Sequence, residues 1–377
     1  INVDFFLKKF ILNRFVWRSM SKNFLIILGL ILIAGAWPVN ILIRHEDKFR
    51  PPSPLIDTLI QKMVREVSSD TLHSFLKILT GDFGIRYSTW PGCSLAVNWV
   101  MNKFRAYGLD SVYLQHYQTR YAKNSIGIKR GTRFPNWQRY YVICAHIDSD
   151  SNSPGVNDNG SGTACVLEAA RVMSRYRFEN GIRFITFTGN LQGLLGSDAY
   201  VRNARSQGDS ILGALNFDML LFEYCDPETL AVYRGRSLAD SLLCSMFKAA
   251  VDTYTTLPTK IKSQQIYNSD QASFWSMGYP ALLGIENNYA YDQYAGTPGD
   301  TLGAPRYSLS FLTKCVQGAI AGLARPAVPM PVTKVKELSV TNSRIPELLV
   351  YPNPTKTDVR FQMIVVSGKD LSLKIYD

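Results

Sequence analysis

Arg139-Tyr140-Tyr141-Val142-Ile143-Cys144-Ala145-His146-Ile147-Asp148 is an apolar, β-rich run that closes on an imidazole and a carboxylate. Residues 161–176 come next, with Val166, Leu167, Ala170 and Met173 on one helical face, and residues 182–188 form a second β-rich run. Strand, helix and strand in that order predict a parallel crossover. A third extended run over 211–217 leads into Asp218, residues 237–253 are helical again, and residues 281–285 extend after Gly278-Tyr279-Pro280. Upstream, helical periodicity over 72–79 and 95–107 gives way to an extended stretch at 111–116, with Gly108 as the stop signal. The expected class is α/β, a mixed, mostly parallel sheet flanked by helices, over residues 50–324.

The rest of the 377-residue chain reads as appendages to that domain. Met20-Ser21-Lys22-Asn23 precedes an apolar run over 24–36 ending Ala34-Gly35-Ala36, the pattern of a secretory signal peptide over 20–36. The alternative is an uncleaved anchor over 24–43, which Pro38 and Asn40 interrupt. Residues 1–19 then form an extra or untranslated segment. Cleavage after Ala36 predicts an exported protein, periplasmic, at the cell surface or extracellular, with no stable membrane insertion. From 325 the texture changes to a Pro-containing linker over 325–345, then to alternating short strands over 346–377.

The formal charge of +11 is uneven, since residues 1–50 hold eight Lys/Arg against three Asp/Glu. No interleaving of basic and aromatic residues marks the central region, which argues against a nucleic-acid partner. Six cysteines, Cys93, Cys144, Cys165, Cys225, Cys244 and Cys315, are an even number that an exported protein can pair. Cys144 in a strand pattern and Cys165 in a helical one read equally well as small buried hydrophobes.

His146 sits where the first parallel strand ends, the edge at which open α/β sheets bind ligands. Ten residues beyond Asp148, the glycine-rich turn Pro154-Gly155-Val156-Asn157-Asp158-Asn159-Gly160 puts Asp158 just ahead of a helix. Alone, an Asp there reads as a helix cap. Asp218 terminates another apolar strand, where a buried carboxylate without a partner is costly and a cation resolves the cost. One imidazole nitrogen and two carboxylates suit zinc, with a position left for water or substrate.

Together these segments resemble the co-catalytic zinc aminopeptidase family of bacterial leucyl aminopeptidases, glutamate carboxypeptidase and glutaminyl cyclases, over residues 55–320. Supporting stretches are residues 124–131, Gly189, Gly193-Leu194-Leu195-Gly196-Ser197, Ser269-Asp270, Gly278-Tyr279-Pro280 and Thr297-Pro298-Gly299-Asp300-Thr301. The resemblance assigns the first zinc to His146, Asp158 and Asp218 and makes Asp148 the residue that orients His146. It places the second zinc's Glu and late His at Leu191 and Gly296, and the general-base Glu at Asn190. None of these three side chains can do the family's work, so one zinc ion at most is implied.

Gln271 stands where the family commonly has His, and Asp292 or Glu286 are the carboxylates available to move in. The family substrates, peptide or protein N-termini, are the implied partners. Three readings stay open: a weak or altered single-metal hydrolase or acyltransferase, a pseudopeptidase binding peptides or a protein partner through the cleft, and a structural exported protein. Leu349-Val350-Tyr351-Pro352-Asn353-Pro354 and the remaining residues to Asp377 resemble the start of a type IX secretion sorting domain, an immunoglobulin-like β-sandwich module, here partial. That resemblance implies the type IX secretion machinery as a second partner; an ordinary terminal β-hairpin is the alternative.

Overall fold

A computed structural model describes residues 54–133, 139–224 and 226–331. The expected leader over 20–36, the segment 1–19 and the C-terminal module over 346–377 lie outside the described residues. Three helices open the described chain: α1 (Pro54–Arg65), α2 (Ser69–Lys77) and α3 (Pro91–Ala106). Ser68 caps α2 by accepting from the Thr71 N–H at 3.2 Å, and Pro91 starts α3 where its missing N–H costs nothing.

The sheet contains β1 (Ser111–Gln115), β2 (Asn124–Lys129), β3 (Arg139–His146), β5 (Gly181–Phe187), β6 (Ser210–Asp218), β7 (Leu230–Arg234), β8 (Thr259–Lys262) and β9 (Ala281–Glu286). Their order is β1-β2-β5-β3-β6-β9-β7-β8. The centre, β5, β3, β6 and β9, is parallel; β1 and β2 pair antiparallel with their neighbours, and β7 is antiparallel to β9 and parallel to β8. All residues of β5 and β9 are buried, as expected of central strands covered on both faces.

Helix α4 (Gly162–Met173) makes the crossover from β3 to β5. It is almost wholly buried, so its apolar face is not a stripe but nearly the full circumference. Helices α5 (Leu195–Ser206), α6 (Leu238–Tyr254), α7 (Gln271–Ser276) and α8 (Leu309–Ala327) complete the layers. A capping box, Ser237 with Asp240, fixes the start of α6. The main core lies between the sheet and α1 to α4, α6 and α8, and a smaller one packs Tyr200, Val201 and Phe274 against the other face.

The domain continues past residue 324, the boundary expected from sequence. Helix α8 runs to Ala327, and β10 (Pro329–Met330) pairs with β4 (Arg177–Phe178), so this stretch still belongs to the domain. The five described cysteines are buried and unpaired, which favours the hydrophobe reading over disulfides; Cys225 lies outside the described residues. Among the described residues no helix is long and apolar enough to cross a membrane.

Candidate metal centre

The parallel strands deliver their C-terminal residues to one edge, and that edge collects the three sequence-predicted ligands. His146 ends β3, Asp218 ends β6, and Asp158 stands in the turn Val156–Ser161 ahead of α4. His146 Nε2 lies 3.3 Å from Asp158 Oδ1 and 3.4 Å from Asp218 Oδ1. One ligand atom from each falls within 4.8 Å of the others. His146 is buried, while the Asp158 side chain keeps 22% exposure, so the centre opens to solvent on the Asp158 side.

Asn159 locks these segments together. Its Nδ2 donates to Phe217 O at 2.9 Å, and its Oδ1 accepts from the N–H groups of Gly162 and Met219 at 2.8 and 3.3 Å. The side chain beside Asp158 is thus bonded to the backbone on either side of Asp218. Ser269 does a similar service: its hydroxyl donates to Asp218 Oδ2 at 2.7 Å and accepts from Asn216 Nδ2. Asp218 Oδ1 is left buried without a hydrogen-bond partner, aimed at the imidazole. An orphaned buried carboxylate oxygen is expensive unless a cation meets it, and the donor set of one imidazole and two carboxylates fits zinc.

Asp148 touches His146 twice. Nδ1 is 3.0 Å from the Asp148 backbone carbonyl and 3.5 Å from its Oδ1, so the hydrogen bond is to the carbonyl and the carboxylate adds charge. A carbonyl can only accept, so Nδ1 carries a proton, and Nε2 is the nitrogen that faces Asp158 and Asp218 and offers a lone pair to a metal once the imidazole is neutral. Asp148 Oδ2 is held by the Ser88 hydroxyl at 2.7 Å, and Ser88 also accepts from the Gly189 N–H. That bond ties His146 to the turn bearing Asn190.

Asn190 is buried in the turn three residues beyond β5, its carbonyl accepting from the N–H groups of Gly193 and Leu194. Its Nδ2 has no partner. Leu191 donates its N–H to Asp148 Oδ2 at 3.4 Å, which puts the turn beside the centre, and its side chain is 41% exposed. Gly296 lies in a turn at φ +69° with open space where a Cβ would stand.

The carboxylates that sequence offered as substitutes are engaged elsewhere. Asn157 Nδ2 donates to Glu286 Oε1 at 2.9 Å and to Asp292 Oδ2 at 2.8 Å, and Glu286 Oε2 takes the Phe222 N–H. Neither joins the three-ligand group. Burial pushes the Glu286 carboxyl well above its usual range, against those hydrogen bonds. Gln271 also points away, accepting from Asn216 and donating to Ile266 O.

Burial alone lowers the His146 pKa, but the Asp218 charge and the close carboxylates of Asp148 and Asp158 around the ring reverse this and raise it well above 6.5. Burial pushes Asp158 up, whereas the His146 charge and the Ser269 hydroxyl hold Asp218 below its usual value against burial. The proton on His146 stabilises the metal-free fold fully below pH 6.5, and this contribution is lost as pH rises through the raised value. A metal needs the neutral imidazole, so protons compete with it. Zinc affinity measured by chelator competition is expected to strengthen about tenfold per pH unit and to keep rising above pH 6.5. A plateau at 6.5 would show an unperturbed histidine.

The model of peptidase family M28 matches residues 126–314. Leucine aminopeptidase 1 of Sclerotinia sclerotiorum is 27% identical over 286 residues, 67% of this chain and 70% of that protein. A probable zinc metalloprotease of Pyrenophora teres f. teres is 29% identical over 214 residues, 49% of this chain and 43% of its own, so the chain spans less than half of that relative. Among solved structures, the LapA aminopeptidase of Legionella pneumophila superposes with a TM-score of 0.66 at 23% identity, covering 78% of this chain and 80% of LapA. That likeness speaks for the fold.

Proposed function

The chain belongs to peptidase family M28, whose model matches just over half of it, and on that premise we propose a one-zinc, peptide-binding member with hydrolysis weak or lost. The observation that carries this is the pairing of a complete His146, Asp158 and Asp218 set with Asn190 and Leu191 on the facing turn. No fourth acidic or imidazole group joins the set among the described residues.

His146 Nε2 and the two aspartates would hold the ion, with the tautomer fixed by the Asp148 carbonyl. Bound zinc would supply charge to polarise a carbonyl oxygen and acidify water. What the chain does not supply is a proton acceptor at residue 190, because a primary amide has no usable basicity near neutral pH. The absence of a positioned base costs roughly 10²–10⁴-fold, and a missing second ion removes further stabilisation. Peptide backbone binding asks less, only an open cleft and one cation.

Purified full chain supplied with zinc is expected to retain one ion, to bind short peptides with a free N-terminus by calorimetry, and to turn over aminoacyl-arylamides near background. Two ions per chain, or turnover at the level of a two-metal aminopeptidase assayed alongside, would refute the degenerate-site reading. Slow turnover that tracks zinc content would favour a surviving single-metal hydrolase instead.

A further inference from the structure

The turn that carries Asp158 is gripped from both sides by charged side chains distant in sequence. Arg86 is wholly buried, and its guanidinium donates only to backbone carbonyls: Ile147 at 2.8 Å, Leu79 at 3.1 Å, Gly84 at 3.2 Å, Pro154 at 2.6 Å and Gly155 at 2.8 Å. Ile147 stands between His146 and Asp148, so one cation holds the histidine strand and the start of the aspartate turn together. On the other side, Asp300 takes three successive N–H groups. Its Oδ1 accepts from Asn157 at 2.7 Å, its Oδ2 from Asp158 at 3.1 Å, and its carbonyl from Val156 at 3.2 Å. The Tyr307 hydroxyl shares its one proton between Asp300 Oδ1 at 3.1 Å and Asp292 Oδ2 at 3.0 Å.

A cation on carbonyls 154 and 155, a backbone carbonyl on the N–H of 156 and a carboxylate on the N–H groups of 157 and 158 complement the peptide dipoles of the turn in order. The turn is too tight to hold itself: Gly155 is left-handed at φ +64°, and a Cβ there would lie 2.5 Å from the Asp158 carbonyl. A buried guanidinium with carbonyl partners only, and a buried carboxylate on consecutive N–H groups, are costly arrangements that simple packing does not require.

We propose that Arg86 and Asp300 are positioning residues that set the metal affinity of the centre by clamping the Asp158 turn against the His146 strand. The proposal rests on the one-zinc reading and adds the determinant of its affinity. With a single ion on Asp158, the carboxylate has no second cation to fix it, and its placement falls to the backbone.

The test measures zinc affinity of the full chain by chelator competition, the visible absorption of the cobalt-substituted protein, and thermal stability, in wild type and in Asp300→Asn. The Asn side chain turns one acceptor into a donor that faces an N–H. Zinc affinity is expected to fall about 10–100-fold, in the range seen when partners behind metal ligands are removed. The cobalt spectrum is expected to change with it. Unchanged affinity and spectrum with a lower melting temperature would overturn the clamp and leave Asp300 a stability residue. Should Asp300→Asn fail to fold, Tyr307→Phe decides. It keeps the carboxylate and removes one donor that holds it, with an expected loss of about 3–10-fold in zinc affinity; wild-type affinity there overturns the proposal. Wild-type chain that takes up no zinc or cobalt refutes the one-zinc reading itself, a result distinct from wild-type uptake that the Asp300 variant leaves untouched.

Discussion

Replacing His146 by alanine is expected to weaken zinc binding by roughly 10²–10³-fold and to leave the purified protein metal-free. A four-ligand protein zinc site is worth about 10–16 kcal/mol at neutral pH, so one ligand carries about 2.5–4 kcal/mol. His146 supplies the sole nitrogen of the set and the atom nearest both carboxylates, 3.3 and 3.4 Å away. Its loss also removes the positive partner of buried Asp218, so that carboxylate faces the one of Asp158 without compensation. The variant is therefore expected to melt earlier than metal-free wild type below pH 6.5, where the wild-type imidazole is charged. Metal analysis after dialysis, with melting curves at pH 6 and 8, reads both effects. Full zinc retention would move the centre away from His146.

The second large effect runs the other way. Asn190→Glu, Leu191→Glu and Gly296→His combined are expected to raise zinc from one to two ions per chain and arylamide turnover by roughly 10²–10⁴-fold. The backbone permits it. Leu191 already presents its side chain to solvent beside Asp148, so a carboxylate there needs no burial. A Cβ at Gly296 meets no atom within 4 Å, and the left-handed backbone at φ +69° costs a histidine about 1–2 kcal/mol, well below the gain from one metal bond. Asn190 is the tight position, since it is buried and glutamate adds a methylene. The Asn190→Glu single variant is expected to gain less than the triple one, because it restores the base and not the second ion. A triple variant that still holds one ion at background turnover would mean that the turns at 190 and 296 have moved apart.

The parallel centre of the sheet was legible because β3, β5, β6 and β9 are buried on both faces and read as apolar runs ending at functional residues. Strands β7 and β8 were not, being five and four residues long, too short for periodicity to separate them from loop. Of the three candidate ligands, His146 and Asp218 end apolar strands with a group that costs energy there, whereas Asp158 in its glycine-rich turn reads alone as a helix cap and was marked out by the family resemblance. Asp148 was legible as a neighbour of His146, but that its backbone carbonyl takes the imidazole proton is a matter of local geometry. Ser88 and Arg86 had no such signature, and Ser269 and Asp300 lay in stretches that carry the resemblance but had no role assigned. Hydroxyls, arginines and aspartates are common in loops, and these act across 51 to 143 positions, on groups that only the folded sheet brings near. Glu286 and Asp292 show the opposite error: proximity in sequence to the site suggested ligands, whereas Asn157 uses both to hold the turn from behind.

Among the described residues, strand order leaves β8 at one border of the sheet, and its residues are Thr259-Lys260-Ile261-Lys262. Its outer hydrogen-bonding groups are a template on which another chain's strand can grow. Lys260 and Lys262 project on the same face, so a copy docking there must bring ammonium groups together and strip their water. The short length limits the reward for doing so. This border is thus defended against self-association, and a centre that depends on backbone placement is spared the distortion that fibril-like pairing would impose on the sheet.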